Sequence, residues 1–188
     1  MPYEFQITRR VEFSDTDMAG IMHFSNFFRF METAEHAFFR SLGYSVVLSK
    51  NGLGFHLPRV HAECHYRAPL KFEDEVRVHL LVQKKTQRSL TYQFRFNRVG
   101  DAENKEVARG KVTVVCVKKL ADGTLKAAPL PKEIADRIQE APAQLLTQDV
   151  AASRQSAAIL ASKRQRRSTE KPLRFTGRPP RAKRNSLS

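Results

Sequence analysis

The chain has 188 residues, a formal net charge of +14 and two cysteines, Cys64 and Cys116, outside any CxxC pair. That length holds one domain with a real core, with or without a tail. The cysteines fall short of the roughly four ligands of a structural zinc site. The charge is lopsided: residues 151–188 hold eleven Lys/Arg against one acid, Glu170, which leaves +4 for residues 1–150, so the basic balance belongs to the tail. The N-terminal MPYEFQITRR carries no apolar signal region, and no run approaches the ~20 apolar residues of a membrane span. Two isolated thiols without a secretion signal predict a reducing, cytoplasmic setting.

Residues 3–13 alternate through Phe5, Ile7, Val11 and Phe13, a half-buried first strand. Ser14-Asp15-Thr16-Asp17 breaks the alternation, and Ala19-Gly20 continues the turn, with Gly20 supplying backbone freedom. From Phe24 to Leu42 apolar residues recur every three or four positions (Phe24, Phe27, Phe28, Met31, Ala34, Ala37, Phe38, Leu42), one face of a long helix. Ser25 or Asn26 is placed to cap its start, and Gly43 to end it as a left-handed C′ residue. The connection from Tyr44 to Leu57 is rich in small and turn residues and offers a wall for a pocket.

Four more strands follow. Residues 58–67 put Val60, Ala62, Cys64 and Tyr66 on one face and His61, Glu63, His65 and Arg67 on the other. Residues 75–84 present Val76, Val78, Leu80 and Val82. Residues 90–98 present Leu90, Tyr92, Phe94 and Phe96. Residues 106–117 are apolar on both sides, as in a strand covered twice. Lys85 to Arg88 turns the hairpin between the second and third of these, Asp122-Gly123 marks a later turn, and Ile134–Ile138 closes the domain. One helix with a succession of antiparallel strands predicts an α+β fold, the helix lying across a curved antiparallel sheet of about five strands. The sheet's bare edges predict a homodimer or homotetramer.

From residue 148 Ser, Arg, Lys, Gln, Ala and Pro dominate. The expected division is a domain at 1–147 and a basic, disordered tail at 148–188, with a short helix possible at 150–163. The tail reads as a solubilising end, a loose nucleic-acid contact or an anionic-membrane contact. Phe175 is its only aromatic, too little for base stacking, so no specific nucleic-acid partner is expected. His61 and His65 share a strand face but lack a third ligand, so no metal is expected.

The stretch VEFSDTDMAGIMHFSNFFRFMETAEHAFFRSLG resembles the hotdog-fold acyl-CoA thioesterases of the 4-hydroxybenzoyl-CoA thioesterase type. The resemblance rests on D-x-D-x-x-G (Asp15, Asp17, Gly20), His23, Asn26 and Glu32, and spans about residues 3–135. It implies a thioester hydrolase that releases free acid and CoA from a small or medium acyl-CoA or an aroyl-CoA. It implies Asp17 as catalytic carboxylate, an oxyanion contact near Phe24, a substrate-side group of Gly20, His23, Phe24, Asn26 and Glu32, and CoA-binding cations at Lys84, Lys85 and Arg88. No cofactor is implied, coenzyme A being part of the substrate. The other branch of the superfamily places a catalytic glutamate on the helix after an HGG motif; this sequence has no HGG, which favours Asp17 over Glu32. The alternative is an acyl-binding or acyl-carrier-protein-directed hotdog protein.

Without the motif, Asp17 reads as a turn former bonding nearby backbone. With it, the carboxylate activates water as general base or attacks the thioester itself, and the residues leave both open. His23 reads as an acyl contact or a packed ring, and Asn26 as a cap or as the residue that orients Asp17.

Overall fold

The computed structural model describes residues 2–46, 54–100 and 105–147. The expected tail, the possible helix at 150–163, and the middle of the connections at 44–57 and 100–104 lie outside the described residues. The elements below belong to the compact unit Met1–Leu146.

Alternation builds the main sheet as the sequence leads one to expect. Strands β1 (Glu4–Arg10), β3 (Arg59–Tyr66), β4 (Glu75–Lys85), β5 (Ser89–Arg98) and β6 (Glu106–Val115) pair antiparallel in the order β1-β4-β5-β6-β3. The register sets Phe5, Leu80, Phe94, Gly110 and Cys64 in one row on the helix side and Gln6, His79, Arg95, Arg109 and His65 in a row on the opposite side. Helix α1 (Asn26–Ser41) lies across the first of these faces, touching β1, β4, β6 and β3, the hotdog arrangement. Gly110 sits where the helix comes closest: a Cβ there would collide with the sulfur and methyl of Met31, itself 1% exposed.

The end of α1 follows the expectation for Gly43. The residue takes φ +84°, and the Tyr44 N–H reaches the Phe39 carbonyl (3.0 Å) while the Gly43 N–H reaches that of Arg40 (3.0 Å), a Schellman motif. The buried face of the helix is wider than the predicted stripe. It takes in Phe30, Glu35 and Phe39, whereas Phe24 is 60% exposed and precedes the helix. A helix resting on four strands buries more than one ridge, so residues flanking the i, i+3, i+4 rows also go in.

One strand expectation needs correction, and one expected strand stays exposed. The strand at 58–67 is present, with Val60 60% and Tyr66 46% exposed. It is the edge strand β3, beyond the helix's main contact, and an edge strand keeps its alternation without gaining cover. The last predicted strand is two strands. At Cys116 the chain leaves β6, giving its N–H to the Arg88 carbonyl (2.7 Å) and accepting from Ala128 (2.9 Å). It then enters a second sheet, order β2-β7-β8, made of β2 (Phe55–His56), β7 (Val117–Lys119) and β8 (Leu125–Ala127).

After the short helix α2 (Lys132–Ala135) the chain lies back on the main sheet. Gln139 N–H bonds the Pro2 carbonyl (3.3 Å), Ala141 N–H bonds that of Val82 (2.8 Å), Glu140 Oε1 accepts the Lys85 N–H (2.7 Å), and the Arg95 guanidinium donates to the Leu145 carbonyl. Among the described residues no helix is long and apolar enough to cross a membrane, and no group of three or more His, Cys, Asp or Glu is placed to hold a metal.

Candidate active site

The acidic turn is built by its own backbone. After β1, residues Phe13–Asp15 form a single 3-10 turn. The Asp15 carboxylate accepts the Glu12 N–H (3.0 Å), and the Asp15 N–H donates to the Glu12 carbonyl (2.9 Å). Thr16 then bridges to Met22, and the loop between them carries Asp17 at its head. Asp17 N–H donates to the Ile21 carbonyl (2.9 Å), and the Asp17 carbonyl accepts from Gly20 (2.9 Å), whose φ of +73° is the left-handed conformation expected of it. One carboxylate oxygen of Asp17 accepts the Ala19 N–H (2.8 Å). Its other oxygen has no hydrogen-bond partner among the described residues, and the residue is half-buried.

A single carbonyl ties this turn to the helix. The Asp15 main-chain oxygen takes both the His23 N–H (2.8 Å) and the Asn26 side-chain amide (2.8 Å). Asn26 is 7% exposed and opens α1; it makes no side-chain cap and, among the described residues, no hydrogen bond to Asp17, and instead clamps the turn to the helix start. Ser25 stands at the N-cap position but makes no side-chain cap, because its hydroxyl pairs with Nδ1 of His23 (2.8 Å). Of the amides leading into the helix, Asn26 N–H bonds the His23 carbonyl (2.9 Å) and Phe28 N–H that of Ser25 (3.1 Å), whereas the Phe24 N–H has no partner among the described residues. The His23 ring packs on that of Phe24 with centroids 4.4 Å apart.

Glu32 belongs to a different cluster, farther along α1. Arg59 of β3 reaches Glu32 (3.2 Å) and Glu35 (2.6 Å), and His36 stands 3.9 Å from Glu32. Glu35 is 3% exposed, and burial pushes its carboxyl up to about 7 although the Arg59 guanidinium pulls it down. Burial also holds His36 below the usual imidazole value, ahead of the opposing pull of Glu32.

Of the hairpin cations, Lys84 and Arg88 are exposed. Lys85 is different: it is the last residue of β4, and its ammonium donates to the carbonyls of Ala135 (2.8 Å) and Ile138 (2.6 Å) at the end of α2. Lys85, expected among the CoA-binding cations, thus has its ammonium on the closing segment. Sequence reading also passed over the lysines that flank this hairpin. The hairpin backbone meets the chain just outside the small sheet, Gln87 accepting from Leu130 (2.8 Å) and Arg88 from Cys116 (2.7 Å), and Lys118 and Lys126 pair across the adjoining β7 and β8. Only the fold of the second sheet reveals them, because nothing marks that region in the sequence beyond a turn. A shallow depression of about 500 Å³ on the small sheet is lined by His56, Leu57, Pro58, Lys119, Gly123 and Leu125, with no contribution from the Asp17 turn.

The model of the thioesterase-like superfamily matches residues 11–138. A curated relative from Aquifex aeolicus (strain VF5) is 31% identical over 140 residues, covering 74% of this chain and all of the relative. The solved 1,4-dihydroxy-2-naphthoyl-CoA thioesterase from Synechocystis is 27% identical with a TM-score of 0.63, covering 70% of this chain and 92% of that one. The 4-hydroxybenzoyl-CoA thioesterase of Pseudomonas sp. strain CBS-3 is 18% identical with a TM-score of 0.62, covering 72% of this chain and 99% of that one, a likeness of fold alone.

Proposed function

Because this chain belongs to the thioesterase-like superfamily and is a thioester hydrolase of the hotdog fold, we propose that it cleaves a small or medium acyl-CoA or an aroyl-CoA to the free acid and CoA, with Asp17 as the catalytic carboxylate. The observation that carries this reading is the shared Asp15 carbonyl, which fixes the Asp17 turn and the start of α1 as one unit. A thioester hydrolase needs a base or nucleophile on one side of the carbonyl carbon and donors for the developing oxyanion on the other. The unpartnered Asp17 oxygen supplies the first. The free Phe24 N–H, just ahead of the positive end of the helix dipole, supplies the second. Asp17 acts either by drawing a proton from water or by forming a mixed anhydride that water then opens. His23 and Gly20 border the same turn and fit the acyl side of the site. Glu32, held by Arg59, fits a more distant part of the acyl wall.

The CoA phosphates meet Lys84 and Arg88, with Lys118 and Lys126 beside them, in the assignment we propose. Lys84→Ala with Arg88→Ala is expected to raise KM for CoA esters by about 3- to 10-fold, the scale of losing two exposed charge contacts, with kcat nearly unchanged. That increase shrinks in high salt, and steady-state kinetics at two ionic strengths read it. An equal KM for the doubly substituted chain at low salt would remove these residues from CoA binding. We also read the protein as a homodimer or homotetramer, since β3 ends the main sheet with an exposed edge that a second copy would cover.

The test of the activity is a hydrolysis screen over short-chain, medium-chain and aromatic acyl-CoAs, with acyl-carrier-protein thioesters as a separate arm. Named relatives act on hydroxylated aroyl-CoAs, which makes these the first aromatic substrates to try. Turnover of carrier-protein esters with none of free CoA esters would overturn the CoA assignment.

A further inference from the structure

We infer that Tyr66, through its hydroxyl, is a positioning residue for the oxyanion amide of Phe24, just ahead of α1. The inference rests on the active-site reading above and adds to it the residue that holds Phe24 in place.

Apart from the stacking of its ring on His23, Phe24 has little else to hold it. Its side chain is 60% exposed, and among the described residues its main chain makes no backbone hydrogen bond. Its neighbours are fixed from the turn side, His23 and Asn26 both bonding the Asp15 carbonyl. From the sheet side the contact is Tyr66, whose hydroxyl donates to the Phe24 carbonyl (3.2 Å). Tyr66 is the last residue of β3, so the bond spans from the edge strand to the residues preceding the helix.

The tyrosine is itself well placed to act as a strut. Its ring stands edge-on to Phe27, centroids 5.1 Å apart, and Phe27 stands edge-on to Phe96 at 5.2 Å. Phe27 is 3% exposed and Phe96 fully buried, so the chain of rings anchors Tyr66 to the core. The hydroxyl stays a donor across the neutral range, because burial and the Cys64 thiol push the phenol up to about 12. An oxyanion donor works only if its position is fixed before the charge develops. Fixing Phe24 by a rigid aromatic on a strand meets that need, where an open loop would not.

The experiment compares the full-length chain with Tyr66→Phe and Asp17→Asn on the best acyl-CoA from the screen. Tyr66→Phe keeps the ring and its stacking and removes only the donor. It is expected to lower kcat about tenfold, less than the ~10² that a 1 Å misplacement costs, with KM within about twofold, an unchanged pH profile and an unchanged melting temperature. Wild-type kcat in Tyr66→Phe, or a loss carried by KM, would overturn the positioning role while an inactive Asp17→Asn left the site reading intact. Wild-type turnover by Asp17→Asn would instead sink the site reading. Amide hydrogen exchange over residues 22–27 gives a readout independent of substrate choice: it is expected to speed up in Tyr66→Phe, and identical exchange overturns the inference.

Discussion

Asp17→Asn is expected to cut kcat by about 10³-fold, inside the ~10²–10⁴ that a positioned acid or base contributes, with KM near that of the wild type. Asparagine preserves the shape of the side chain, and its carbonyl oxygen still accepts the Ala19 N–H that Asp17 takes at 2.8 Å. The turn is therefore expected to survive, closed as it is by the Asp17–Ile21 and Gly20–Asp17 backbone bonds, and the melting temperature to stay within about 2 °C. What is lost is the basic oxygen that faces away from the backbone. Binding persists because the acyl walls and the phosphate contacts are untouched. A variant with comparable kcat would remove Asp17 from the chemistry, and one with a large fall in melting temperature would make its role one of turn formation.

The second large effect concerns stability. Glu35 is expected to make the wild-type protein lose on the order of 3 kcal/mol of unfolding free energy between about pH 5 and pH 8, relative to Glu35→Gln. The native carboxyl holds its proton up to about 7, while the unfolded one releases it near 4.5. Between these values the native state binds more protons, so stability is greatest on the acid side and declines as pH rises through 7. Burial against Tyr92 and the α1 core is the cause; the Arg59 ion pair at 2.6 Å offsets only part of it. His36 and His79 work the other way. Burial lowers both, so their contribution is present above about 6.5 and is lost as pH falls. Denaturant melts of wild type and Glu35→Gln across pH 5–8 cancel that background. Parallel curves for the two proteins would show that Glu35 ionises normally.

The same residue shows where the sequence was legible and where it was not. The two-residue period of β1, β4, β5 and β6 is written in Phe5, Ile7, Val78, Leu80, Tyr92, Phe94, Val112 and Val114, and each of these goes where its alternation sends it. The capping glycine and the turn glycine carry their own backbone signal. Glu35 does not, because a charged residue beside a 3.6-residue stripe looks like solvent face until the helix is known to lie across four strands. Phe24 fails in the opposite sense: it continues the apolar spacing but precedes the first helical turn. Period alone cannot tell an edge strand from a central one, so the alternation of 58–67 did not mark β3 as an edge flanked by β6 alone. The acidic turn was found through its motif. The clamp made by Asn26 on the Asp15 carbonyl, and the tyrosine that meets Phe24 from forty-two residues away, are contacts of the folded chain and leave no trace in local spacing.

The segment from Gln139 to Leu145 lies past the stretch shared with the superfamily, yet the main sheet depends on it. A fragment cut at the homology border would leave the Val82 carbonyl without its donor and the Lys85 amide without its acceptor, and would uncover Arg95. Expression boundaries for this protein should accordingly be drawn beyond residue 147, because the evolutionary unit and the smallest self-sealing unit do not coincide.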